Sequence, residues 1–569
     1  MYMDPQNLKL NDLLHSRLFR IPPYQRPYSW QTEHRRDLFN DLRTLYQKRQ
    51  EFHFMATVVG VDNGPYLLGS DEYQQIDIVD GQQRLTTLVL LLRAISRQLS
   101  EPTLEKLLVK DDAHTLVLLQ TNHDYNDHFI NYVRYGKRPE VETADTLAER
   151  NIIEAIAEVE SFVASWPATT GATLLELLAL IKNRLRFVYY QLHDEKLVYT
   201  VFEVLNTRGL EVAWLDRCKA VLMGIAFEHA ANQQEMVQEL HDIWQRIYEC
   251  IGLRQGLSSE SLRFAATLIT HDHTSRTLSN SDALDTFRKR AANRPIETLA
   301  LSRFLQKVAR ALDSLLHDQQ KAAVTKIAHA RLLAVAITLR FEGTHRERLL
   351  TQWEHVSFRI YGMCGRDSRT RVGDYVRLAC QVYASEGNAA AYKDAMQALI
   401  DLGSGEFSAA KAVTELRQAN CYEGWEEELR YFFYARERWL EAEHGYKPSA
   451  IAWDKIWSDS AVRSIEHILP QNPEQGSAWQ DLYDQANTAQ QGIQHWLGNL
   501  VVIPPAVNSR VGRKPYDEKQ TEYAQTGLAI TRELADKYSE WTLEQIEERE
   551  QKLIEWAELY WGDLVPESP

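Results

Sequence analysis

A chain of 569 residues outruns a single hydrophobic core, and at ~100–200 residues per domain it calls for about three. Charged residues make up 25% and hydrophobic ones 44%, with no run of eighteen apolar residues, which sets aside disordered chains and helical membrane proteins. The net charge of −15 excludes a protein coated in nucleic-acid-binding surface, though not a nuclease whose cleft alone is basic.

The five cysteines, at 218, 250, 364, 380 and 421, lack the Cys-x-x-Cys spacing of a structural zinc site and read as reduced thiols. The amino terminus has neither the basic flank nor the apolar core of a signal peptide, so the cytoplasm is the expected compartment.

The first marked segment is Ile21-Pro22-Pro23-Tyr24-Gln25-Arg26-Pro27-Tyr28-Ser29-Trp30. Its prolines lower the entropy lost on ordering, so Gln25 and Arg26 can be held in place; a stiffened edge packing its rings on the core is the plainer alternative. Phe54–Val61 and Gln75–Val79 read as strands, being rich in β-branched and aromatic residues. After Gly81 the period changes, with Leu85, Leu88, Val89 and Leu92 on one face of a helix.

Asp80-Gly81-Gln82-Gln83-Arg84 joins strand to helix. Glycine permits a tight turn, and the helix start offers amide donors that favour a phosphate. Gln82 and Gln83 can donate and accept, Arg84 offers a planar fork, and Asp80 can hold magnesium or orient a water. The competing reading makes Asp80 a helix cap with solvated neighbours. Arg186–Gln191 is a further strand. Thr200–Leu205 leads to a turn at Asn206–Gly209, where Glu203, Asn206 and Arg208 gather around a glycine. Asp216 and Lys219 follow at the spacing of a surface ion pair. No Gly-x-x-x-x-Gly-Lys-Ser/Thr occurs, so nucleotide chemistry here needs another cradle.

From about 226 to 425 the pattern is helical: Leu305, Val308, Leu312 and Leu315 keep the helical period, and Leu332–Phe341 is apolar enough for a buried helix. His271, His273 and His329 form no catalytic pattern, so this stretch reads as a spacer or recognition domain. A helix over Glu427–Trp439 then leads to Glu466-His467-Ile468-Leu469-Pro470, to Leu497-Gly498-Asn499-Leu500, to Asn508, and to two terminal helices. A compact phosphodiesterase site needs a base and a divalent ion. His467 suits the base, Glu466 and Asn508 offer hard oxygen ligands, and Asn499 can orient His467. His495, beside Trp496, reads as a packed helix end. Arg510, Arg513, Lys514 and Lys519 supply a basic cluster. A Glu-His pair by itself is more often structural.

The three amino-terminal motifs together resemble the amino-terminal domain of GmrSD-type modification-dependent restriction proteins, itself similar to the ParB/sulfiredoxin fold. The carboxy-terminal motifs resemble the His-Asn-His, or ββα-metal, nuclease domain fused to it. The resemblance implies an α+β multidomain chain: a nucleotide-binding domain over 1–225, a helical middle over 226–425 and a nuclease domain over 426–569. It implies catalytic roles for His467 and Asn499, and for Asp80, Gln83 and Arg84. Tyr24, Gln25, Arg26, Gln82, Arg84, Glu203, Asn206 and Arg208 would bind a nucleoside triphosphate, and Glu466 and Asn508 would bind Mg2+ or Mn2+. The implied function is nucleotide-regulated cleavage of modified double-stranded phage DNA, sugar-modified cytosine and phosphorothioate both staying open, with no membrane partner and self-association undecided. A non-catalytic nucleotide-binding regulator and an RNA-directed nuclease remain the alternatives.

Overall fold

The computed structural model describes residues 5–22, 25, 27–48, 52–99, 101–110, 116–120, 126–139, 147–192, 214–229, 233–251, 255–270, 275–292, 294–317, 321–445 and 450–565. It divides into two compact units, residues 1–266 with 279–310 and residues 267–278 with 311–569. Among the described residues no helix is long and apolar enough to cross a membrane.

The first unit is built on a mixed sheet of β1 (Gln6–Lys9), β2 (Arg17–Ile21), β3 (His53–Leu68), β4 (Asp71–Asp80), β5 (Leu118–Gln120) and β6 (Leu185–Leu192), in the order β1-β6-β3-β4-β2-β5. β3 and β4 form a long hairpin, with β2 parallel to β4 and β6 parallel to β3. The strands expected over 54–61, 75–79 and 186–191 lie inside β3, β4 and β6. Inside the sheet a forked ion pair from Arg20 to Asp77, at 2.6 and 2.7 Å, locks β2 to β4.

The helix Gln82–Ser96 departs from its one-faced pattern. Leu85, Leu88, Val89 and Leu92 are buried as expected, but so are Leu90, Leu91 and Ala94 on the other faces. A helix apolar on all sides belongs inside a unit rather than on its surface. Helices Thr32–Gln47 and Leu147–Thr170 meet through Phe39 stacked on Phe162 at 4.4 Å, and Trp166 packs edge-on to both Phe162 and Tyr46. Truncating Leu88, which is wholly buried, is expected to cost ~2–5 kcal/mol. A Leu88→Ala protein whose denaturant midpoint matches the parent's would contradict this central placement.

Asp216 and Lys219 sit on the helix Trp214–His229, but not as a surface pair. Lys219 is buried, its ammonium 5.0 Å from the centre of the Tyr248 ring, and Asp216 accepts a 2.5 Å bond from the Tyr248 hydroxyl. Neighbouring aromatic surface on helix Gln233–Ile251 covers what sequence spacing left exposed.

The second unit is mainly helical. Helix Ala328–Arg340 is buried along most of its length, as its composition predicts, and His329 on it bonds the Tyr361 hydroxyl at 2.7 Å as a satisfied core histidine. Helix Glu426–His444 includes the span expected from sequence. Beyond it lies a hairpin of two three-residue strands, β7 (Ile465–His467) and β8 (Leu500–Val502). After β8 come four helices rather than two: Pro505–Val511, Tyr516–Ala524, Ala529–Lys537 and Leu543–Tyr560. Pro515 starts the second of them, Gly527 at positive φ precedes the third, and Thr542 opens the fourth with a capping box.

Candidate functional site

Strand alternation sends Glu466 and His467 to opposite sides of β7. Glu466 points inward. Its Oε1 accepts from Lys519 Nζ at 2.6 Å and from the Tyr523 hydroxyl at 2.8 Å, with Glu466 and Lys519 both buried. Burial pushes the Glu466 carboxyl up and the Lys519 ammonium down, while their attraction works the other way. Lys519 also donates to the carbonyls of His467 and Ile468, both at 3.1 Å.

His467 lies among aromatic rings: Tyr422 packs edge-on at 4.5 Å and stacks in turn on His495. The amide nitrogen of Gln471 can only donate, so its 3.1 Å contact makes His467 Nδ1 the acceptor. The remaining proton then sits on Nε2, which donates to His495 Nδ1 at 3.2 Å. Burial, with smaller contributions from His495 and Lys519, pushes the imidazole down to about 3, so it is neutral at pH 7. An anionic phosphate nearby would favour the charged form and draw that value up.

Asn499 makes no hydrogen bond to the His467 side chain. Its Oδ1 accepts from the Leu469 amide at 2.7 Å and from the Trp541 indole at 3.1 Å, and its Nδ2 donates to the carbonyls of Leu469 and Gln494. It therefore sets the turn after His467 through the backbone. Asn499→Ala would strand several buried polar groups and is expected to cost about 3 kcal/mol or more. A loss under about 1 kcal/mol in urea unfolding would refute that role. Gly498 is needed for a different reason: a Cβ there would lie 2.1 Å from the Ile546 carbonyl oxygen of the last helix. From that same helix the buried Arg549 donates to the carbonyls of Gly498 and Leu500, the latter at 2.8 Å.

Asn508 donates through Nδ2 to the carbonyls of Arg463 and Ile465, at 3.0 and 2.8 Å, and its oxygen accepts no hydrogen bond from a described residue. Of the basic cluster, Arg510 and Lys514 share Glu522 and Lys519 is buried, which leaves Arg513 as an exposed cation with no ion pair to a described residue.

In the first unit, Gly81 takes φ +95 and is itself the helix cap, with Asp80 accepting the Gly81 amide at 2.8 Å. Any side chain at 81 would press on the Thr57 carbonyl, 3.1 Å from a Cβ. Gln83 is occupied at both ends, accepting from the Ser29 amide at 2.7 Å and donating to the Pro27 carbonyl at 3.1 Å. Gln25 donates to the carbonyls of Ile78 and Val79 at the end of β4. These two glutamines clamp the proline-rich segment to the strand and helix. Gln82 is buried. Arg84 is half-buried, its guanidinium 5.9 Å from the Trp30 ring centre, with Asp80 and Asp41 nearby and no hydrogen bond to a described residue. Buried Arg35 fixes Trp30 in turn, bonding its carbonyl and Glu158.

Residues 10–223 match the GmrSD restriction endonuclease N-terminal domain, and residues 408–556 match the C-terminal domain of GmrSD restriction endonucleases. Both halves of one restriction system thus lie in one polypeptide, in order. The chain is a GmrSD-like Type IV restriction protein. No curated protein matches it.

Of the residues the GmrSD resemblance nominates, Tyr24, Arg26, Glu203, Asn206 and Arg208 lie outside the described residues, as do the Thr200–Leu205 strand, the turn after it, His271 and His273. The structure brings Asp80, Gln82, Gln83 and Arg84 to one turn, and His467 at the end of β7 and Asn499 just before β8 to another. Of the nominated metal ligands, Asn508 bonds the carbonyl of Ile465, the residue before Glu466, and Glu466 Oε1 is taken up by Lys519 and Tyr523. Glu466 is already neutralised by Lys519, and among the described residues no group of three or more His, Cys, Asp or Glu is set to hold a metal ion. With its Oε1 committed to Lys519 and Tyr523, Glu466 does not offer that oxygen to a cation as it stands, whereas the oxygen of Asn508 accepts no hydrogen bond from a described residue. His495, Gln471, Tyr422, Lys519 and Arg549 are what sequence reasoning passed over at this site. His495 carried the one available signal, a histidine four residues before the Asn of the motif.

Proposed function

We propose that this GmrSD-like protein is a nucleotide-regulated, divalent-metal-dependent endonuclease that restricts modified foreign DNA in the cytoplasm, with His467 as general base. The observation that carries the reading is the neutral imidazole of His467, held by His495 and presenting Nδ1 toward Gln471, an exposed residue. With Gln471 displaced, Nδ1 can take a proton from a water attacking the phosphate, and the Nε2–H bond to His495 keeps the ring in the tautomer for it. Asn499 holds the turn rigid, which a base needs to be productive. The metal requirement rests on the family; because Glu466 does not fit it, no step here runs through a metal.

In the amino-terminal part, Arg84 and the start of the Gln82–Ser96 helix, which no side chain caps, suit the phosphates of a nucleoside triphosphate, with Asp80 beside them. Bound nucleotide would supply a free-energy difference between resting and active states. The strand-strand-helix order of β7, β8 and Pro505–Val511 supports a ββα nuclease fold. A three-part organisation, with boundaries near 225 and 425 and a ParB/sulfiredoxin-like first part, draws its support from the separate family matches over 10–223 and 408–556.

The test is a cleavage panel with magnesium and each triphosphate on unmodified, methylated, hydroxymethylated, glucosylated and phosphorothioate DNA, and on RNA. Cutting confined to one modified DNA, lost with EDTA, is the expected result. Equal cutting of every DNA overturns modification sensing, cutting of RNA alone redirects the substrate, and cutting of nothing favours a regulator.

A further inference from the structure

We infer that Lys519 is a positioning residue of the candidate nuclease site, its buried ammonium fixing the backbone turn that carries His467, and that Glu466 is its counter-charge and not a ligand for a divalent cation. The inference rests on the nuclease reading for its link to catalysis, but not for its geometry.

An ammonium has three N–H donors, and Lys519 has three acceptors: Glu466 Oε1 at 2.6 Å and the carbonyls of His467 and Ile468 at 3.1 Å. Its side chain is 0% exposed and that of Glu466 4%. Two adjacent carbonyls are thus drawn toward one point just where β7 ends and the chain turns. The third acceptor balances the charge that makes this possible. Tyr523, one helical turn beyond Lys519, donates to the same carboxylate oxygen at 2.8 Å. A cation bound at that oxygen would have to displace both donors and sit beside a buried ammonium. It would also leave the carbonyls of His467 and Ile468 without the donor they have. Asn499 binds the Leu469 amide and carbonyl, so three consecutive residues after Glu466 are gripped through their backbone. The side chain of His467, whose own direction is set by Gln471 and His495, is thereby hung from a fixed frame.

The experiment uses the full chain with Glu466→Gln, Lys519→Met and the pair Glu466→Leu/Lys519→Met. Three quantities are read: thermal unfolding in EDTA, Mn2+ affinity by electron paramagnetic resonance, and the magnesium dependence of cleavage. Lys519→Met, which leaves a buried carboxylate alone, should melt about 6–20 °C below the parent without metal, and the double variant should regain most of that loss. Assayed well below its melting midpoint, Lys519→Met should lose ~10²-fold in kcat while keeping its KM for DNA and its magnesium half-saturation, as a misplaced base would. Glu466→Gln should bind Mn2+ and respond to magnesium as the parent does. A tenfold or larger loss of Mn2+ affinity in Glu466→Gln makes Glu466 a ligand and overturns the inference, and so does a double variant no more stable than Lys519→Met. Should the parent cut no DNA, the nuclease reading fails, while the melting and Mn2+ measurements still decide between counter-charge and ligand.

Discussion

Replacing His467 with alanine is expected to slow DNA cleavage ~10²–10⁴-fold, the range lost when a true general base is removed. The loss should lie in kcat, because the ring contributes to proton transfer more than to DNA affinity. A His467→Ala protein that cuts as fast as the parent removes the base assignment. A second measurement reads the same ring without substrate. Burial holds the folded imidazole at about 3, against ~6.5 in the unfolded chain, so between those values the unfolded state takes up a proton that the folded one refuses. The group's contribution to stability is therefore whole above about pH 6.5 and is lost as pH falls toward about 3. His467→Asn, which cannot titrate there, should accordingly move the acid-unfolding midpoint to lower pH; an unchanged midpoint would show that the ring is solvated.

Arg84→Ala is expected to weaken triphosphate binding ~10–150-fold, the worth of hydrogen bonds to a charged group. Melting should barely change, since the guanidinium makes no hydrogen bond with a described residue. Gln83→Ala should behave in the opposite way, because Gln83 ties the Pro27 and Ser29 backbone to the helix. Calorimetry and thermal unfolding of the two variants side by side separate ligand contact from scaffold. Binding by Arg84→Ala equal to the parent's, or no nucleotide bound by the parent, refutes the assignment.

The strand-to-helix turn at Gly81 was legible because the period changes from two to about 3.6 across a glycine, and the structure adds the reason for the glycine. The hairpin was harder, since strands of three residues are too short to show alternation. What could not be read was which polar side chains serve the scaffold. Gln83 and Gln25 look free in sequence, yet their partners are backbone groups some fifty residues away. Lys519 reads as one more surface charge among Arg510, Arg513 and Lys514, because burial is set by tertiary packing and leaves no local mark. His495 lies 28 residues from His467, and only the fold makes them neighbours.

The grip of Arg549 on the carbonyls of Gly498 and Leu500 bears on the order in which the protein comes into being. Two strands of three residues bury too little to hold together unaided. Their anchors come from later in the chain, Lys519 for the first strand and Arg549 for the second, the latter some eighty residues after His467. At ~5–20 residues per second, synthesis needs roughly 4–16 s to travel from His467 to Arg549. During that interval the nascent hairpin has its motif residues but not its frame. A host translating a restriction protein of this family thereby keeps the hairpin incomplete until the helix bearing Arg549 has been made.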